Sequence, residues 1–238
     1  MTYFVNIKCQ CAEVQVTRKK IKTVRLKVFP TGEIKLSVPD TTPDAWIIKF
    51  ITKKQSWIED KLNSFQKTRA IEKEQNIRSG TSTRILGKQM VITIENAPQK
   101  KILCEDSELT IFTLDSSNYP AIGKQLNNWW QKKAKAYYID TIDRLFSIVG
   151  KHGIDKPDVI VRKMSTLWGS CSRKHNRINL NFYLYRASRP CIEYVILHEL
   201  IHFLYPRHDK HFYDFLTIYM PDWEERKKQL DYEIVLGV

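Results

Sequence analysis

The segment Ile192-Glu-Tyr-Val-Ile-Leu-His-Glu-Leu-Ile-His202 constrains this chain more than any other. It belongs to the longest apolar stretch, around Tyr194 to Leu204, yet His198, Glu199 and His202 interrupt it. Ser188-Arg-Pro190 reads as a helix start, a capping serine followed by proline in the first turn. Pro206 is a stop, so a helix is expected from Pro190 to about Tyr205. A helix turns once per about 3.6 residues, which puts positions i and i+4 on one face. Both imidazoles can then reach one ion. Neutral imidazole nitrogen binds zinc at about 2.0–2.1 Å, and a catalytic zinc typically keeps a third protein ligand and a water. Glu199, beside the first histidine, is the candidate general base.

The third ligand must come from elsewhere in the chain. His208 follows the helix-breaking Pro206, which lets the chain fold back, and is the preferred candidate. His211 is the alternative. Asp209 or Asp214 could orient a ligand imidazole through its second nitrogen. A glycine-containing H-E-x-x-H-x-x-G-x-x-H pattern is absent, because position 205 is Tyr. A carboxylate third ligand from Glu224 or Glu225 is less well placed than His208.

Composition narrows the class. The chain has 238 residues and 42% hydrophobic residues, enough for a sizeable core. The net charge is +13. Residues 1–80 carry 16 Lys/Arg against 8 Asp/Glu, and residues 151–238 carry 14 against 11. The excess is mostly N-terminal, away from the histidines. A basic region of this kind attracts polyanions, which makes DNA a candidate partner. The five cysteines form no C-x-x-C pair and fit reduced thiols better than a disulfide framework. No signal-peptide pattern and no apolar run of about 20 residues is present, so a cytoplasmic protein without a membrane span is expected.

Three regions are expected. Residues 1–80 form a basic β-hairpin and helix region. Thr23–Val28 and Ile34–Val38 alternate apolar and polar residues around a Pro30-Thr-Gly32 turn. Pro43 then opens a helix carrying Trp46, Phe50, Trp57, Ile58, Leu62 and Phe65 toward a core. Polar residues 67–80 read as a connector. Residues 81–118 contain short strands at Arg84–Leu86, Val91–Ile94 and Leu109–Phe112. Residues 119–238 hold a long helix from Asn118 through Val149, strands at Asp158–Val161 and Arg177–Asn181, the histidine helix, and a further helix over about Lys210–Tyr219.

At this point the chain resembles a known family. Arg162-Lys-Met-Ser-Thr-Leu-Trp-Gly-Ser-Cys-Ser172, Arg177-Ile-Asn-Leu-Asn181, the histidine helix and Arg207-His-Asp-Lys-His-Phe212 together look like YgjP-like metallopeptidases, which are similar to the SprT/Spartan and WLM metalloproteases. Arg207 departs from the pattern, where members often have Asn. The resemblance implies an α+β, zincin-like catalytic domain, with a small sheet, the active helix and the long helix packed behind it. It implies Zn2+ on His198, His202 and His208, with Glu199 as catalytic base. It also implies that Trp168–Cys171 belongs to the sheet beside the cleft, whose edge could bind an extended peptide; core packing explains Trp168 and Cys171 as well.

The expected activity is hydrolysis of peptide bonds, on a protein or peptide substrate that includes DNA-associated proteins. Glu199 takes a proton from water and passes it to the leaving amine. Tyr205, Tyr213, His211 and Arg162 are open candidates for holding the oxyanion. Two competing readings are a nucleic-acid-binding protein with a structural or vestigial zinc site and a small-molecule zinc amidohydrolase.

Overall fold

The structure is a computed structural model, and it describes residues 2–7, 10–21, 23–29, 32–60, 62, 77–164 and 167–235. Cys9, Pro30, Thr31, Phe65 and most of the expected connector lie outside the described residues. The chain divides into two compact units, Met1–Lys73 and Glu74–Val238.

The first unit is a sheet with a helix. Strands β1 (Thr2–Ile7), β2 (Gln10–Lys19), β3 (Arg25–Val28) and β4 (Ile34–Pro39) take the order β1-β2-β4-β3. The expected hairpin is the antiparallel β3/β4 pair, with Leu26 opposite Leu36. Gly32, at φ +88°, supplies the left-handed turn between them. Alternation on β4 buries Ile34, Leu36 and Val38. Helix α1 (Asp44–Lys53) follows Pro43, and a separate helical stretch covers 55–60. The core contact differs from expectation. Ile47, Ile51 and Ile58 are buried, while Trp46 and Trp57 are exposed. The isoleucines share the helical face turned to the sheet. Trp46 stacks instead on Phe50, with ring centroids 5.0 Å apart.

The second unit opens with β5 (Ser82–Ile85), β6 (Lys88–Asn96), β7 (Lys101–Glu105) and β8 (Glu108–Thr113), in the order β5-β6-β8-β7. Helix α2 (Tyr119–Gly150) follows. The Asn118 side chain accepts from the Ala121 amide at 3.1 Å, and Pro120 occupies the first turn. Ile122, Leu126, Trp130, Ala134, Tyr138 and Ile142 recur every four residues and are buried. A smaller sheet of β9 (Asp158–Arg162), β10 (Gly169–Ser172) and β11 (Arg177–Asn181) has the order β10-β11-β9. Helices α3 (Arg189–Ile201), α4 (Lys210–Tyr219) and α5 (Trp223–Val235) complete an α+β architecture. No helix among the described residues is long and apolar enough to cross a membrane.

Helix α2 backs the small sheet through side chains that reach its main chain. Trp130 Nε1 donates to Phe182 O at 3.2 Å, Gln131 Nε2 to Val161 O at 2.7 Å, and Tyr138 Oη to Asn181 O at 3.0 Å. Helix α3 is buried nearly all round, and its polar edge is clamped. Glu193 sits between Arg144 at 3.1 Å and Arg226 at 2.9 Å. Ser188 occupies the expected N-cap position, but its hydroxyl does not cap the helix; it donates to Cys191 Sγ. Its own amide donates to Glu233 of α5 at 2.9 Å. The sequence reading did not anticipate α5. Its surface is mostly charged, and only Leu230 and Glu233 among its described side chains are buried.

Asn181 is the buried polar joint of this frame. Its side chain donates to Met164 O at 2.7 Å and Leu167 O at 2.9 Å, and accepts from the Tyr183 amide at 3.1 Å. Replacing it strands those two carbonyls and the amides of Tyr183 and Met164, the second of which donates to the same oxygen at 3.4 Å. Asn181→Ala is expected to lower stability by about 2–4 kcal/mol in urea titration of the full chain. A loss below about 1 kcal/mol would show that water replaces the amide freely.

Candidate metal centre

Helix α3 delivers His198 and Glu199 from its last turn, and His202 follows in helical conformation as its C-cap. The helix ends sooner than expected, at Ile201 rather than about Tyr205. Main-chain bonds from Leu204 N and Tyr205 N to Ile201 O wind the chain into a tight turn. That turn brings His208 back to the helix. One nitrogen from each of His198, His202 and His208 falls within a group whose members all lie within 4.8 Å of one another. His208 Nε2 is 2.8 Å from His198 Nε2.

Phe212 supports the three rings together. It is fully buried, and its ring centroid is 4.9 Å from His198, 4.9 Å from His202 and 4.8 Å from His208. Asp209 sets its position: its carboxylate accepts from the Phe212 amide at 3.2 Å and so starts α4. This is a different job from the expected orientation of an imidazole. The carbonyl of Tyr205 does that for His202, 3.1 Å from Nδ1. A carbonyl only accepts, so Nδ1 carries the proton and Nε2 keeps its lone pair for a ligand bond. His211 is exposed, outside the group, and stacked on the Tyr205 ring at 6.3 Å.

The donor set fits a zinc-like cation. Burial, then the neighbouring His202, His208 and Lys227, pushes the His198 pKa down to about 3. Burial also lowers that of His202, against the Tyr205 hydrogen bond. Imidazoles held neutral are the ligand form. Two zinc-bound nitrogens would stand about 3.3 Å apart at tetrahedral angles, so the 2.8 Å separation needs only a small opening. His198 Nδ1 is buried without a hydrogen-bond partner among the described residues.

Glu199 is 7% exposed. Burial pushes its pKa up to about 7, opposed by the backbone amide of Cys171. Strand β10 makes that contact possible because Gly169 has no side chain. A Cβ there would lie 2.7 Å from Glu199 Cγ and 2.8 Å from Oε1. The Cys171 thiol is pushed up to about 12, first by burial and then by the Glu199 charge, so it stays protonated. Trp168 is half-buried against the core. Among the oxyanion candidates, Tyr213 has its ring against a member of the triad, 6.1 Å from His208, and it stacks on Trp223 at 5.3 Å. Sequence reasoning missed the supporting role of Phe212 and the close approach at Gly169. A glycine at the start of a short strand was the signal available for the second.

The sequence profile of the YgjP-like metallopeptidase domain matches residues 22–233. The chain belongs to the YgjP-like metallopeptidase family. Membership makes this protein a metallopeptidase, implies a divalent metal ion, and implies protein or peptide substrates. The solved metallopeptidase zymogen of Methanocaldococcus jannaschii jannalysin is 24% identical, over 40% of this chain and 96% of that one, with a TM-score of 0.35. No curated protein sequence matches.

Gly169→Ala drives a methyl into Glu199 while leaving the three imidazoles untouched. This metallopeptidase is therefore expected to keep its bound metal and lose at least about 100-fold in peptidase rate. Elemental analysis beside a fluorogenic peptide assay checks it, and unchanged activity would dissociate Gly169 from the placement of Glu199.

Proposed function

We propose that this YgjP-like protein is a zinc-dependent peptidase, with His198, His202 and His208 as the metal ligands and Glu199 as the general base. The observation that carries the reading is the convergence of three imidazole nitrogens within 4.8 Å, next in sequence to a buried carboxylate. When bound, zinc supplies polarisation of the scissile carbonyl and a water whose pKa falls to about 7. Glu199 accepts the proton of that water and returns it to the departing amine. A carboxylate brought to about 7 by burial can do both near neutral pH. The Cys171 amide and the bare backbone at Gly169 keep the carboxylate in one orientation through the cycle.

The chemistry is assigned to residues 119–238. The cytoplasm is the proposed compartment, and the free thiols of Cys104, Cys171 and Cys191 support it. Proteins held on DNA are the proposed substrates, with the basic residues 1–80 as a contact to the DNA. The +13 charge supports this extension.

Elemental mass spectrometry and a peptidase assay test the assignment together. Wild type and Glu199→Gln are each expected to carry one zinc per chain, with Glu199→Gln at least about 1,000-fold slower. His208→Ala is expected to lose most of its zinc. Full zinc retention in His208→Ala would remove His208 from the ligand set, and an active Glu199→Gln would remove the general base.

A further inference from the structure

A second chemical feature of the Glu74–Val238 unit lies along α2 beside its buried stripe. A cleft of about 420 Å³ opens between the start of β7 and the N-terminal half of α2. Lys100 and Lys101 line one wall, Lys124 and Lys132 the other, with Ile102 and Trp129 contributing apolar surface. All four lysines are exposed, and none forms an ion pair among the described residues. The part of α2 that lines the cleft adds no compensating charge, since the sequence has no Asp or Glu from Ser116 to Ile139. The pattern has no role in folding the core, which uses Ile122, Leu126 and Trp130 instead.

Basic and aromatic groups continue to alternate beyond the cleft. Lys133 Nζ stands 6.0 Å from the Trp129 ring centre, and Trp129 abuts Trp130 at 6.3 Å. Lys163 covers the other neighbour pair, 5.3 Å from Phe182 and 5.7 Å from Tyr183. Trp130 and Phe182 are buried, whereas Trp129 and Tyr183 are half-exposed beside the exposed Lys133 and Lys163. Exposed cations beside half-exposed rings suit a strand of phosphates with unstacked bases.

We infer that this cleft binds single-stranded nucleic acid, with Lys100, Lys101, Lys124 and Lys132 neutralising backbone phosphates and Trp129 offering a stacking surface to a base. A small anion is the poorer match. Tight capture of one small anion needs fixed, buried donors, whereas these ammoniums stand in water on flexible stems. A polyanion gains from such charges through release of its counterions. The site is built from residues of the Glu74–Val238 unit alone and does not depend on the metal centre.

The test is fluorescence anisotropy of a labelled oligothymidylate of about 20 nucleotides with the full chain, titrated at several salt concentrations. Lys124→Gln/Lys132→Gln is expected to weaken binding at least about 10-fold at about 100 mM salt. It should also reduce the magnitude of the log–log salt slope by about 1.4, two phosphate contacts' worth for a single strand. Trp129→Leu, checked for an intact thermal transition, should weaken binding about 5-fold or more with the slope unchanged. Lys49→Gln/Lys53→Gln, in the first unit, serves as the comparison and should cost less than the α2 pair. Wild-type affinity in the α2 double variant would overturn the inference. So would a loss confined to the Lys49/Lys53 variant, or competition by polyglutamate equal, charge for charge, to that of the oligonucleotide.

Discussion

Burying a carboxylate without a partner costs several kcal/mol, and a stretch of helix surrounded by buried apolar neighbours offers none of its own. Glu199 is in that position. Its neighbours on α3 include Val195, Ile196, Leu200 and Ile201, all buried. Relief comes from outside the helix, from the Cys171 amide on β10, and it requires backbone at a distance that only glycine at 169 permits. The arrangement of the second unit follows from holding that strand still. Strand β10 pairs with β11, β11 with β9, and α2 pins both β9 and the end of β11 through Gln131 and Tyr138. The same burial that makes Glu199 expensive to hold raises its pKa to about 7, where a proton carrier is useful.

The histidines are organised by a different economy. Two are set by the pitch of α3, and the third by a short reversal that Asp209 closes by starting a new helix. Phe212, one turn into that helix, then fills the space beneath all three rings. A single rigid apolar side chain thus replaces several polar contacts as the support, leaving the nitrogens free to face one another. Among the described residues, His202 alone of the three has its second nitrogen fixed by a main-chain carbonyl, that of Tyr205.

Helix α2 has two unrelated faces. One is apolar and carries the small sheet; the other carries lysines with no acidic neighbour in sequence until Asp140. Folding needs only the first. Solvated lysines spaced along a helix repel one another mildly, which screening in salt largely removes, so the fold tolerates the second face at little cost. The charge there and the excess in residues 1–80 are separate features of the chain.

Local rules made much of this protein legible. The four-residue spacing of His198 and His202, the Asn118-Tyr-Pro120 start of α2, the β3/β4 alternation and the break at Pro206 are each properties of a few neighbouring residues. Helical pitch, capping and pleating act at that range. Where several apolar residues compete, local rules decide less. The sequence could not tell that Ile47 and Ile51, rather than Trp46, would meet the sheet, because both sets have helical spacing and only the position of the sheet chooses. Polar α5 was invisible because it is held by docking, through Leu230 and Glu233. The sequence by itself determined that two imidazoles and a carboxylate would share the end of one helix. Tertiary structure alone decided that Phe212 would sit under the rings, that Asp209 would cap a helix rather than orient a ligand, and that Gly169 would lie against Glu199. Those contacts join residues distant in the chain, or choose one of several local hydrogen-bond partners, and their energies exist only once the pieces have packed.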